Sequence, residues 1–131
     1  MCSYSVKVSK MKTALVVDDS SFIRKIARQI LENMGFAVSE APDGANALEQ
    51  CEASFPDLIL LDWNMPVMSG LEFLSKLRKM PGGDAPQVVF CTTENTRDKI
   101  LTALEAGATE YIMKPFDQEI IRTKLEQIGM V

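Results

Sequence analysis

The sequence predicts an α/β fold: a doubly wound, five-stranded parallel sheet with five helices, in three layers. Three observations lead there. Short apolar runs alternate with stretches of helical periodicity from residue 14 to residue 128. The runs are continuously apolar rather than alternating, as strands buried on both faces must be. Four of them also close on polar residues, namely Asp18-Asp19, Asp62, Thr92 and Lys114. In an open α/β sheet that is the carboxyl end of the strands, where ligands bind.

The elements follow in order. Ala14, Leu15, Val16 and Val17 form the first strand. Behind it, Phe22, Ile23, Ile26, Ala27, Ile30, Leu31 and Met34 recur at spacings of three and four, the mark of an amphipathic helix, and Gly35 ends it as a C-terminal cap. Asp18-Asp19, just ahead, can be read simply as the acidic N-cap of that helix. The second strand is weaker: over residues 37–41, Ala37, Ser39 and Ala41 alternate with Val38 and Glu40. The turn Pro42-Asp43-Gly44 opens a short helix over 45–51. Leu58 to Leu61 make the third strand. Ser69 with Glu72 forms a capping-box pattern ahead of Leu71, Leu74 and Leu77, and Pro81-Gly82-Gly83 stops that helix. The fourth strand is Val88, Val89, Phe90 and Cys91, followed by a helix over 96–106 closed by Gly107. The fifth is Tyr111, Ile112 and Met113. Asp117 can cap the last helix, with Ile121, Leu125 and Ile128 on its buried stripe. The order βαβαβαβαβα, with right-handed crossovers, puts helices on both faces of the sheet.

A chain of 131 residues, nearly half of them apolar, suits one globular domain. We expect residues 1–11 to be a flexible tail and 12–131 to be a single domain with no output domain attached. Tyr4, Val6 and Val8 leave an ordered edge segment as the alternative, and Met11 could serve as the natural start. No apolar run reaches the roughly 20 residues needed to span a bilayer, and the first ten residues lack a signal-peptide pattern. The expectation is a cytoplasmic protein without membrane insertion. Net charge is −4 with both signs interleaved, so no basic block argues for nucleic acid. Cys2, Cys51 and Cys91 are odd in number and widely spaced, which argues against a disulfide framework or a zinc site. Histidine is absent, so this chain can hold neither a His ligand nor a phosphohistidine.

Taken singly, the four polar signals are unremarkable as helix caps, turn residues or a surface lysine. Gathered at one end of a sheet, three carboxylates, a hydroxyl and an ammonium make a pocket for a cation and a phosphoryl group. Carboxylates so close repel one another, so at least one pKa should rise unless a cation is present. Hard oxygen ligands without His or Cys point to Mg²⁺. Asp19 and Asp62 are the expected direct ligands, with Asp18 direct or through water and the backbone carbonyl of Asn64 completing the set. Pro115 restricts the backbone at Lys114 and allows a cis bond there.

The chain resembles the response-regulator receiver domains, most closely stand-alone receivers of the chemotaxis CheY type. The matching residues are 16–20 (Val-Val-Asp-Asp-Ser), 60–66 (Leu-Leu-Asp-Trp-Asn-Met-Pro), 70–72 (Gly-Leu-Glu), 92–94 (Thr-Thr-Glu), 107–108 (Gly-Ala) and 111–116. The resemblance spans residues 12–128. It implies a flavodoxin-like sheet of order 2-1-3-4-5. It also implies that Asp62 takes a phosphoryl group from the phosphohistidine of a histidine kinase or histidine phosphotransferase, with Mg²⁺ at Asp18, Asp19 and Asp62. Lys114 would contact a phosphoryl oxygen, Thr92 would hydrogen-bond another, and Tyr111 would be the switch aromatic. Asn64 and Glu94 would tune dephosphorylation, giving an aspartyl phosphate that lasts seconds to minutes. The kinase side would dock near Ser21, Phe22 and Ile23, one of the last two facing inward. A downstream protein would bind the face of helix 4, strand 5 and helix 5, where Arg97, Lys99, Glu105, Tyr111 and Gln118 are the candidate exposed residues. A flagellar motor switch is the favoured partner of a monomeric signalling protein that is not an enzyme. Thr93, bulkier than the residue common in chemotaxis proteins, weakens that lean. The alternative is a phosphorelay or stress-response receiver passing phosphate between histidine proteins.

Rival readings fit less well. A nucleotide-binding domain needs a phosphate-cradling loop after the first strand, where Asp18-Asp19 would repel phosphate. A Mg²⁺-dependent phosphohydrolase would usually carry a second acid two residues after its nucleophile, where this chain has Asn64. A phosphorylation-independent pseudo-receiver need not keep Asp18, Asp19, Asp62, Thr92 and Lys114.

Overall fold

The computed structural model describes residues 11–93 and 97–131. The tail expected over residues 1–11 therefore lies outside the described residues except for Met11. Five strands, β1 (Thr13–Val17), β2 (Ala37–Ala41), β3 (Leu58–Asp62), β4 (Gln87–Thr92) and β5 (Glu110–Met113), form one parallel sheet of order β2-β1-β3-β4-β5. Five helices alternate with them: α1 (Ser21–Asn33), α2 (Gly44–Ala53), α3 (Gly70–Lys79), α4 (Arg97–Glu105) and α5 (Gln118–Gln127).

Side chains alternate across a strand, so each strand serves two cores. On one face, Ala14, Val16, Leu58, Leu60, Val89, Cys91 and Ile112 pack with Ala27, Ile30 and Leu31 of α1 and Ile121 and Leu125 of α5. On the other, Leu15, Val17, Ile59, Leu61, Val88 and Phe90 pack with Ala47, Phe73, Leu74, Leu77 and Ala103 from α2, α3 and α4. β3 is buried along its whole length, which accounts for its unbroken apolar run.

Helix boundaries follow side-chain caps. The Ser20, Asp43, Ser69 and Asp117 side chains accept from the backbone N–H groups of Ile23, Asn46, Glu72 and Ile120. The cap of α1 is thus Ser20, not the acidic pair, and Asp18 is left for the pocket. The stripe read along α1 also needs correction. Ala27, Ile30 and Leu31 are buried, but Phe22 is 69% exposed and Ile26 also faces outward. Of the pair Phe22 and Ile23, it is Ile23 that turns inward, to half-burial. Gly35 and Gly107 follow α1 and α4 with φ of 95° and 110°, the left-handed geometry of helix ends.

Side chains also secure the outer strand β2. Arg28 Nη2 donates to Val38 O at 2.7 Å, and Gln50 Nε2 donates to Glu40 O at 2.8 Å. Arg24 and Arg28 both pair with the Glu40 carboxylate, the Arg24 contact being 3.0 Å. Further along the sheet, the Arg78 guanidinium donates to the carbonyls of Gly83, Pro86 and Gly107, tying α3 to the turns before β4 and β5.

The loop from β3 to α3 contains one strained residue. Val67 has φ of 70° and lies between Pro66 O and Met68 N, which are hydrogen-bonded at 2.7 Å in a three-residue turn. A β-branched residue is costly in that region, and Val67, 85% exposed, recovers little by burial. Val67→Asn is expected to raise stability by about 1 kcal/mol, read as a higher urea midpoint at unchanged m-value. A lower midpoint would count against strain at this turn.

Candidate functional site

Strand register builds the site. Val17 pairs with Leu61, so Asp18, one residue on, stands beside Asp62, the last residue of β3. Asp62 pairs with Cys91, and Thr92 ends β4 opposite Met113. Lys114 N then donates to Thr92 O at 2.8 Å, so Lys114 follows directly at the same end. The Lys114–Pro115 bond is cis. Asp18, Asp62 and Thr92 are the buried polar residues among those described, while Asp19 is exposed.

The carboxylates and the lysine are in contact. Lys114 Nζ lies 2.8 Å from Asp18 Oδ2 and 3.1 Å from Asp62 Oδ1. Asp18, Asp19 and Asp62 each present an oxygen, all within 4.8 Å of one another, close enough to share one metal ion. Asp18 is held at every polar group. Its N–H donates to Ala41 O at 3.1 Å, its Oδ1 accepts from Ser20 N at 2.9 Å, and its carbonyl accepts from Arg24 Nη1 at 2.6 Å.

Electrostatics follow from burial and crowding. Desolvation, then the Asp18 charge, push the Asp62 pKa above its ordinary value, with Lys114 acting in opposition. Desolvation works against charge on Lys114, but its bonds to Asp18 and Asp62 prevail and its pKa is raised. Beneath them, burial pushes the Cys91 thiol up to about 12, so it stays protonated and is no thiolate ligand. One ammonium among three carboxylates leaves net negative charge, and the donors are all oxygen. The pocket therefore fits a hard divalent cation.

The raised Asp62 pKa has a sign that can be measured. The folded protein holds this proton where the unfolded chain has released it. Its stabilising contribution is full below the ordinary value of 3.8 and is lost as pH rises through the folded value. In EDTA, melting temperatures of the parent should fall with rising pH relative to those of Asp62→Asn over that window. Parallel curves would mean that the pocket exerts no such strain.

Thr92 ends β4 at the same edge of the sheet as Asp62 and Lys114, and alternation puts it on the face of Phe90 and Tyr111. Tyr111 is half-buried there, with Lys124 Nζ 5.0 Å from its ring centroid. Trp63 lies 4.9 Å from Phe90 between ring centroids, and Lys99 Nζ sits 5.5 Å from the Trp63 centroid. Of the residues expected on the outer face of α4, β5 and α5, Arg97, Glu105 and Gln118 are exposed, whereas Lys99 and Tyr111 are half-buried against these neighbours. Asn64 is exposed two residues beyond Asp62, and Glu94 lies outside the described residues.

Two neighbours of the pocket have no site role in the sequence reading, Gly70 entering it only within the matching segment 70–72. Arg24 holds the Asp18 carbonyl, and its only signal was a cation in the first turn of a helix, where the macrodipole disfavours one. Gly70 packs its Cα so close that an added Cβ would lie 2.2 Å from Asp62 O. At the opposite end of the sheet, a groove lined by Thr13, Ser39, Gln50, Ser54 and Phe55 has no titratable side chain in its walls.

A doubly wound parallel sheet whose strand ends gather acidic groups around one lysine defines a class of α/β domain with a cation-binding pocket at the carboxyl edge of its strands. Comparison with known proteins narrows the class. A family profile described as response regulator receiver domain matches residues 14–126. Chemotaxis protein CheY1 of Helicobacter pylori is 39% identical over 116 residues, covering 87% of this chain and 94% of that protein. Chemotaxis protein CheY of Pseudomonas aeruginosa is 36% identical over 115 residues, covering 87% and 93%. The solved structure of chemotaxis response regulator CheY4 of Vibrio cholerae superposes with a TM-score of 0.86 at 34% identity, over 91% of this chain and 99% of that one. The chain belongs to the response regulator receiver family, a family of signalling domains. Within it, the likeness is to receivers of the CheY type, and the strand order agrees. No helix among the described residues is long and apolar enough to cross a membrane.

Proposed function

We propose that this chain is the phosphoacceptor of a two-component system and that Asp62 is the residue phosphorylated. The observation that supports it most is the buried Asp62 carboxylate, 3.1 Å from Lys114 Nζ and clustered with Asp18 and Asp19. An Asp62 oxygen attacks phosphorus in a phosphohistidine of a histidine kinase or histidine phosphotransferase. The P–N bond breaks, its electron pair stays on the imidazole nitrogen, and an acyl phosphate forms on Asp62. Asp18, Asp19, Asp62 and the Asn64 carbonyl would hold Mg²⁺, which when bound offsets the negative charge of the carboxylates and the phosphoryl oxygens.

The chain's own residues do the rest. Lys114 presents its ammonium to a phosphoryl oxygen while its bond to Asp18 keeps it in place. Thr92 offers a hydroxyl to another oxygen. Thr92 and Tyr111 lie on the same face of the sheet by strand alternation, and Tyr111 is the aromatic that would respond when Thr92 engages the phosphoryl group. Asn64, exposed two residues beyond Asp62, would influence attack by water on the acyl phosphate. The family assignment and the chemotaxis names of the relatives favour output to a flagellar motor switch protein through α4, β5 and α5. Leu101, Leu104 and Ile120 expose apolar surface on those helices.

The test uses Trp63, next to Asp62 in the chain. Its fluorescence should change with Mg²⁺ and again with acetyl phosphate, and acid-quenched samples should contain an acyl phosphate that decays within minutes. Absence of acyl phosphate under these conditions would reject the proposal. With beryllofluoride bound, the protein should retain a flagellar switch protein in preference to histidine phosphotransferases. The reverse preference would favour a phosphorelay.

A further inference from the structure

The acidic trio contains one carboxylate that nothing described holds in place. Asp18 is bonded on all sides and Asp62 is buried against Lys114, but Asp19 is exposed. Its position depends on the peptide that precedes it. That peptide's carbonyl, Asp18 O, accepts a 2.6 Å bond from Arg24 Nη1, and the same guanidinium reaches Glu40 Oε1 through Nε at 3.0 Å. Arg24 therefore spans from the pocket loop to the outer strand. Its backbone N–H meanwhile donates to Ser20 O, so its own Cα is fixed by the first turn of α1. A cation on this first turn opposes the helix macrodipole, and a carbonyl and a carboxylate compensate it there.

We infer that Arg24 is a positioning residue for the cation site: by holding the Asp18 carbonyl it fixes the Asp18–Asp19 peptide and so places the Asp19 carboxylate beside Asp62. The inference rests on the reading of the acidic trio as a cation site. Geometry and charge predict opposite outcomes here. If Arg24 acted only through its charge, removing it would leave the pocket more negative and tighten Mg²⁺ binding. If it acts by position, removal weakens binding despite the gain in negative charge. The planar fork matters as well, because a lysine at 24 keeps the charge but cannot span Asp18 O and Glu40 together.

Mg²⁺ titrations followed by Trp63 fluorescence decide between these. Arg24→Lys and Arg24→Met are expected to bind Mg²⁺ roughly ten-fold more weakly than the parent, the usual scale for residues that orient metal ligands. Arg28→Lys disturbs the same Glu40 network without touching Asp18 and is expected to bind as the parent does. Unchanged affinity in Arg24→Lys, or tighter binding in Arg24→Met, would overturn the inference. If Arg24→Met fails to fold, Arg24→Lys carries the comparison alone. If the parent itself shows no Mg²⁺ response, the cation-site reading fails. Arg24 is then judged by the Asp19 and Ser20 amide resonances of the metal-free protein, which should move in Arg24→Lys and stay still in Arg28→Lys. Resonances that do not move would overturn its positioning role as well.

Discussion

Asp62→Asn is expected to abolish phosphoryl uptake completely while leaving the protein at least as stable as the parent in metal-free buffer. The amide is nearly the same size as the carboxylate but lacks the anionic oxygen that attacks phosphorus. It also removes a charge that burial and Asp18 both disfavour. Lys114 keeps its 2.8 Å pairing with Asp18, so the substitution strands no ammonium. Labelled acetyl phosphate and Trp63 fluorescence read the first effect, and thermal melts in EDTA read the second. Loss of uptake accompanied by a large loss of stability would point to misfolding. Uptake that persists in the variant would falsify the assignment of Asp62.

Gly70→Ala is expected to cost about 3 kcal/mol or more and to impair the site together with the fold. The added Cβ would stand 2.2 Å from the Asp62 carbonyl oxygen and 2.9 Å from Phe90 Cε1. The first of these is backbone, so relief requires β3 to move away from α3, and Asp62 moves with it. Gly44→Ala is an internal control, because its Cβ would meet the flexible Met68 side chain at 3.1 Å. Urea titrations should show a large fall in midpoint for Gly70→Ala and a small one for Gly44→Ala. Similar midpoints for the two would contradict the packing described for Gly70.

The strands were legible because a parallel sheet covered on both faces needs continuous apolar runs, and β3 supplies one without interruption. The pocket was legible for a related reason: polar residues closing such runs stand out and must lie at one end of the sheet. Less visible were features that depend on direction rather than composition. Phe22 and Ile26 share the periodicity of Ala27, Ile30 and Leu31, yet the stripe is wider than the contact α1 makes, and its margin faces solvent. Arg24 reads as a solvated cation until Asp18 and Glu40 are seen on either side of it. Gly70 reads as a helix-starting residue, since the nearness of the Asp62 carbonyl is a tertiary fact.

The bonds from Arg28 and Gln50 to β2 carry one more consequence. Ala37 N donates to Lys12 O and Ala41 O accepts from Asp18 N, so these two residues turn their backbone toward β1. By alternation, Val38 and Glu40 turn theirs toward the open side of the sheet. Those are the two carbonyls that Arg28 and Gln50 occupy. An incoming strand from another molecule would find its hydrogen-bond acceptors already filled, so the open margin of β2 is guarded against edge-to-edge aggregation by side chains of the chain's own helices.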